Sequence, residues 1–199
     1  MKNTLYPVFL KLNRLKILIV GAGEVGCEKL TFLLKSSPDA HITVVAREVL
    51  PPVAELLKDY PDVDLTIIQK DFEPSDTVGF DLVIAATNFE SLNRQVRDAA
   101  KANGALVNVA DTPPLCDFYL GSIVTRGSLK VAISTNGQSP TFAKRFRQWL
   151  ETILPEETDA LLSHLKVFRD QLKGDFETKV KALNDLTASL VDEHQNKQT

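Results

Sequence analysis

At 199 residues, with 44% apolar and 25% charged composition, the chain is long enough to bury a substantial core, as one large domain or two small ones. A net charge of −3 argues against general nucleic-acid binding, and no apolar stretch approaches the roughly 20 residues that would span a bilayer. The first residues lack a secretory apolar core, so the expected compartment is the cytoplasm; the two cysteines, Cys27 and Cys116, lie far apart without a Cys-x-x-Cys spacing and suggest neither a disulfide framework nor a zinc site.

The strongest local signal comes first. Leu15 to Val20 is an apolar run that reads as a strand over 15–20, and it leads directly into Gly21-Ala-Gly-Glu-Val-Gly26 and a helix over 24–35. A Gly-x-Gly-x-x-Gly turn between a strand and a helix is a dinucleotide-binding signal. Gly21 permits the tight bend, Gly23 lets backbone amides approach a pyrophosphate, and Gly26 lets helix and strand pack closely. The helix N-terminus, including Glu24 and Val25, then faces the phosphates.

Further runs follow in alternation: strand 41–46, helix 50–59, strand 64–69, strand 80–86, helix 90–102 and strand 105–109. Continuous apolar strands such as Leu82 to Ala86 are expected where both faces of a parallel sheet carry helices. The fold class is therefore α/β, a doubly wound Rossmann-type sheet. Asn88 or a near neighbour is expected to cap the helix over 90–102, and Asn103-Gly104 to end it.

After Asp111-Thr-Pro-Pro114 the pattern changes to two short extended pieces, 122–125 and 129–135, that read as a hairpin. Ser139-Pro140 then starts a helix over 141–153. Beyond Pro155, Leu161, Leu165, Phe168 and Leu172, then Phe176, Val180 and Leu183, form stripes on a helical pair broken at Gly174-Asp175. Those stripes suit either an internal core or a dimer interface, and His194 to Thr199 reads as a polar tail. Three parts are expected: a nucleotide-binding domain over 1–112, a dimerisation and substrate region over 113–153, and a helical tail over 154–199.

Candidate chemistry collects at strand ends. A carboxylate about twenty residues past the glycines would hold the adenosine ribose; Ala46 stands there, followed by Arg47 and Glu48. Glu48 favours NAD, Arg47 favours NADP, and the reading leans to NAD without excluding NADP. Ala86, Thr87 and Asn88 follow one strand, and Asn108 and Asp111 close another, on the edge where open α/β sheets bind ligands. Asp111 is the candidate proton acceptor. Ser134, Thr135 and Asn136 lead to a second helix N-terminus, while Lys144 and Arg147, three apart, share a helix face. Residues 113–153 alone are basic, with 5 Lys+Arg against 2 Asp+Glu. His41, His164 and His194 show no metal-ligand spacing; His164 stays open as a group for metal insertion.

Tyr6-Pro-Val-Phe9, the Val20 to Val25 loop, Ala85-Ala-Thr-Asn88, Asn108-Val-Ala-Asp111, Cys116-Asp-Phe118 and Val131 to Pro140 occur in an order that resembles precorrin-2 dehydrogenase. That family includes the dehydrogenase and ferrochelatase part of siroheme synthase. The resemblance, over about residues 6 to 155, implies NAD-dependent oxidation of precorrin-2 to sirohydrochlorin, in some members iron insertion as well, within a homodimer. It aligns Asp111 with the family's catalytic aspartate, Gly21 to Gly26 with its nucleotide loop, Arg47 and Glu48 with its second cofactor contact, and Lys144 and Arg147 with its basic pair. A tetrapyrrole with many carboxylate arms would account for a basic segment in an acidic chain. Gly121, Asn88 and Thr135 depart from the usual proline, aspartate and serine. No methyltransferase module follows, so the chain is not expected to make precorrin-2 itself. Two alternatives from the residues alone are a non-catalytic NAD(H)-sensing module and a dehydrogenase of another small acidic substrate; neither nucleic acid nor membrane is an expected partner.

Overall fold

The computed structural model describes residue 3 and residues 5–188; His194 and the polar tail lie outside the described residues. The chain divides into two compact units, Met1–Ser122 with Ile133–Ala143, and Ile123–Ala132 with Lys144–Thr199.

The first unit is built on a five-stranded parallel sheet. Its chain order is β1 (Lys16–Ala22), α1 (Glu24–Ser36), β2 (His41–Val49), α2 (Pro51–Lys58), β3 (Leu65–Gln69), β4 (Leu82–Ala85), α3 (Glu90–Ala102) and β5 (Leu106–Val109). In space the strands run β3-β2-β1-β4-β5. The order reverses between β1 and β4, and open α/β sheets bind ligands at the carboxyl ends of the strands at such a switch point.

Alternation along β1 explains why both faces are covered. Ile17 and Ile19 pack with Leu30, Leu34 and Val53 on one side, while Leu18 and Val20 pack with Val96, Ala100 and Val107 on the other. All four β1 residues are at most 2% exposed. A strand buried on both faces needs apolar residues at every position, which is the run seen from Ile17 to Val20.

Several boundaries differ from the sequence expectation. β2 runs on to Val49 because Val49 pairs with Ala22 across a register shift in β1, and Leu50 N–H then donates to the Ala22 carbonyl at 3.1 Å. Asn88 is not the cap of α3: Phe89 occupies that position, with no capping side chain. The turn is held instead by buried Asn93. Its Oδ1 accepts from Thr87 N–H at 3.1 Å and from the Thr87 hydroxyl at 2.7 Å, and its Nδ2 donates to the Thr87 carbonyl at 2.9 Å. Asn103 does end α3, and Gly104 follows with φ +79°.

The end of β5 is clamped by the segment that follows it. Asp117 Oδ2 accepts from Val107 N–H at 3.0 Å, and Lys101 on α3 lies 2.9 Å from the same carboxylate. Burial of this carboxyl opposes ionisation, but the Lys101 ammonium and the Val107 amide outweigh it and hold its pKa below the ordinary value. Burial likewise pushes the Cys116 thiol up, against a lowering hydrogen bond from Val109. Its Sγ accepts from Val109 N–H and donates to the Val109 carbonyl, both at 3.2 Å.

The second unit holds most of the hairpin β6 (Ser122–Arg126) and β7 (Leu129–Ile133), most of α4 (Pro140–Ile153), and the pair α5 (Thr158–Gln171) and α6 (Phe176–Thr187). Asp159 on α5 accepts from Ser128 N–H at 2.7 Å in the hairpin turn. Arg126 donates to the Glu151 carbonyl at 2.6 Å and the Leu154 carbonyl at 3.1 Å, closing the end of α4. Asp175 caps α6 by accepting from Thr178 N–H at 2.9 Å. Neither α5 nor α6 contains a buried residue.

Two predictions follow from these contacts. Gly26→Ala would place a Cβ 2.1 Å from the Gly21 carbonyl oxygen, so urea unfolding should show a loss of about 1–3 kcal/mol, as overpacking of a rigid site costs. Asp117→Ala should cost about 1.5–3 kcal/mol at pH 7, the range for hydrogen bonds to a charged group. Because the folded carboxyl titrates below its unfolded value, its contribution is complete above the unfolded pKa of about 3.9 and fades as pH falls through the lower folded value. In parallel unfolding curves the gap between the two proteins should therefore be smaller at about pH 3 than at pH 7.

Candidate functional site

The glycine turn is assembled by backbone in close contact with backbone. Gly21 has φ +108°, and a Cβ there would lie 2.5 Å from the Ala86 carbonyl oxygen; a Cβ on Gly26 would meet the Gly21 carbonyl. Gly23 is the contrasting case. Nothing lies within 4 Å of the position its Cβ would take, and it caps α1 with no side chain of its own. The first-turn amides of Glu24, Val25 and Gly26 have no intrahelical acceptor. A pyrophosphate therefore has both an open approach and aligned donors, and the residues fit a dinucleotide.

Ala86, Thr87 and Asn88 follow β4 directly beside Gly21, as the Ala86 contact requires. Ala86 is 2% exposed; Asn88 is exposed. Thr87 is fully engaged with Asn93 and Phe89, its hydroxyl accepting from Phe89 N–H at 3.2 Å. Asn93 is a residue that sequence reading missed. Its only local signal was a polar residue on the apolar side of an amphipathic helix.

At the end of β2, Ala46 is buried and both Arg47 and Glu48 are exposed. Arg47 Nε lies 2.7 Å from Asp71 Oδ1. Glu48 has no hydrogen-bond or ion-pair partner among the described residues.

Asn108 is 6% exposed and its amide donates to the Phe118 carbonyl at 2.8 Å, so it ties β5 to the chain that returns beneath it. Asp111 lies two residues beyond β5, exposed, with φ +56°. A non-glycine residue in the left-handed region is uncommon, though aspartate tolerates it better than most, and such strain gathers at functional positions. Among the described residues Asp111 has no hydrogen-bond or ion-pair partner, in contrast to the clamped Asp117.

Ser134, Thr135 and Asn136 also belong to the first unit. Ser134 Oγ accepts from Asn136 N–H at 3.2 Å and Thr135 Oγ1 from Ser139 N–H at 3.1 Å, so these hydroxyls shape their own loop. Asn136 is left-handed at φ +53°. Ser139 caps α4 as expected, accepting from Phe142 N–H at 3.1 Å. Gly121 has a physical reason to replace proline: a Cβ there would sit 2.5 Å from the Ile133 carbonyl oxygen.

Lys144 and Arg147 lie on the part of α4 in the second unit. Lys144 is exposed, and Arg147 is half-buried and paired with Glu151 one turn on. His164 is exposed on α5. No group of three or more histidine, cysteine, aspartate or glutamate residues suited to a metal ion occurs among the described residues, and no helix there is long and apolar enough to cross a membrane.

Comparison with known proteins agrees with this geometry. A family model described as "Putative NAD(P)-binding" matches residues 8–122, and one described as "Sirohaem biosynthesis protein central" matches 126–152. Siroheme synthase of Methylococcus capsulatus is 39% identical over 84% of this chain and 34% of its own length. Siroheme synthase 1 of Cronobacter sakazakii is 38% identical over 83% of this chain and 34% of its own. The chain thus spans about a third of the length of these curated relatives. Among solved structures, SirC, a precorrin-2 dehydrogenase, superposes with a TM-score of 0.72 at 25% identity, covering 98% of this chain and 93% of its own. The chain belongs to the NAD(P)-binding family whose model covers its first unit's sheet, and it carries the central segment of sirohaem biosynthesis proteins.

Proposed function

We propose that this chain oxidises precorrin-2 to sirohydrochlorin with NAD, in the cytoplasm, on the way to siroheme. One observation carries the reading: an open glycine cradle at Gly23 and an unpartnered, strained carboxylate at Asp111 lie on the same edge of one sheet. The near end-to-end match to SirC supports it, as does the identity to siroheme synthases over most of this chain.

NAD, when bound, supplies a hydride acceptor. Oxidation removes two hydrogens from the macrocycle, one as hydride and one as a proton, and Asp111 is the base for the proton. Its exposure and freedom from competing donors suit that task. Glu24 to Gly26 hold the pyrophosphate through their amides, and the Thr87–Asn93 network keeps the β4 turn in place beside them. Lys144 and Arg147 supply positive charge for the substrate's carboxylate arms, and the Ser134 to Asn136 loop shapes the substrate side.

We also propose that the chain works as a homodimer. Phe142, Phe146, Trp149 and Ile153 recur at helical spacing on α4 and are 59%, 37%, 53% and 49% exposed, and α5 and α6 contain no fully buried residue. Exposed apolar stripes of this extent are characteristic of subunit interfaces.

An anaerobic assay following NADH absorbance and the sirohydrochlorin spectrum should show the two products rising in equal amounts. Asp111→Asn, which keeps the left-handed backbone and the side-chain shape, should lower kcat by about a hundredfold or more while leaving NADH affinity near normal. Full turnover in that variant would remove the base from the scheme, and NAD binding with no tetrapyrrole oxidation would favour a sensing module. Sedimentation should give a dimer for the native chain and a monomer for Trp149→Glu with Ile153→Glu; a monomeric native chain would end the dimer reading.

A further inference from the structure

We infer that Asp71 biases the choice of coenzyme toward NAD, by holding Arg47 away from the place where a 2′-phosphate would sit; this rests on the dinucleotide reading above. The ends of β2 and β3 bring the two residues together. Ala46 pairs with Gln69, Lys70 N–H donates to the Ala46 carbonyl at 3.0 Å, and the Gln69 side chain donates to the Arg47 carbonyl at 3.1 Å. With the strand ends locked in that register, the chain leaving β3 delivers Asp71 to Arg47, and their side chains meet at 2.7 Å.

The direction of this pairing matters. β3 flanks β2 on the side opposite β1, so Asp71 draws the guanidinium toward the outer edge of the sheet and away from the glycine turn. Glu48 stands closer to that turn along the chain: the next residue, Val49, pairs with Ala22. Lys70, the other nearby cation, is itself engaged, 3.1 Å from Glu73 and 2.7 Å from Asp76. The strand end therefore offers a ribose one free carboxylate and a neutralised arginine. A carboxylate accepts hydrogen bonds from the two ribose hydroxyls of NAD and repels the added phosphate of NADP.

Pairs as exposed as Arg47 and Asp71, at 80% and 73%, are weak. The arginine can thus be released by a single substitution. Titrating the purified protein with NADH and NADPH, read by nucleotide fluorescence, should show the native chain preferring NADH by about tenfold or more. Asp71→Asn should tighten NADPH by about fivefold, the upper end of what an exposed ion pair withholds, and leave NADH within about twofold. Adding Arg47→Ala to Asp71→Asn should erase the gain, which separates release of the arginine from general loss of negative charge. NADPH affinity unchanged in Asp71→Asn, a gain that survives Arg47→Ala, or a native preference for NADPH would each overturn the inference while leaving dinucleotide binding intact. Failure of the native chain to bind either nucleotide would overturn both.

Discussion

Two carbonyl oxygens set the shape of the mouth of the sheet. The Gly21 oxygen lies where a Gly26 side chain would begin, and the Ala86 oxygen lies where a Gly21 side chain would begin. The β1 turn, the first turn of α1 and the end of β4 are thereby packed backbone to backbone, with no side chain between them. Such contact leaves no slack, since polypeptide interiors are close-packed and deform little. The one position spared is Gly23. Its openness depends on the tightness of its neighbours, because only a rigid rim keeps a concavity from closing on its own amides.

A similar contrast governs the end of β5. β5 terminates in a dense set of bonds: Asn108 to the Phe118 carbonyl, Cys116 to both backbone groups of Val109, Asp117 to Val107 and Lys101. Between these anchors, residues 110–115 turn back on themselves, and Asp111 takes a left-handed conformation at the exposed tip. Left-handed backbone at a non-glycine residue costs of order 1 kcal/mol or more. That cost is tolerated because the clamp on either side leaves the turn little choice. The two aspartates six residues apart are thus complementary in role: Asp117 is consumed by structure, and Asp111 is left with its acceptor capacity intact.

What could be read from residues alone was what depends on neighbours in sequence. The buried run of β1, the glycine spacing, the Ser139-Pro140 start of α4 and the Asn103-Gly104 stop of α3 all obey local rules of period and capping. The last three residues of β2 escaped because Arg47 and Glu48 interrupt its apolar pattern and its pairing with Ala22 is visible only in space. Asn88 looked like a cap by residue type, yet the turn it sits in is governed by Asn93, whose partners follow from tertiary packing. Asp71 carried no motif at all. Its meaning comes from the β2–β3 register, which no local window contains. For the candidate site, residue types at strand ends gathered on one edge of the sheet, while their division into free and engaged groups required coordinates.

That division changes how the charged residues should be weighed. Counting charges in the sequence suggests a contest at the end of β2 between an arginine that would accept NADP and a glutamate that would accept NAD. In the fold the contest is unequal, because the arginine already has an anion and the glutamate has no cation. The same reasoning applies to the basic segment. Arg147 spends its charge on Glu151 and Arg126 on the carbonyls that end α4, so the positive surface offered to an acidic ligand is narrower than the count of lysines and arginines implies. Formal charge in a sequence is an upper bound on the field a ligand meets, and the ion pairs and capping contacts of the fold decide how much of it remains.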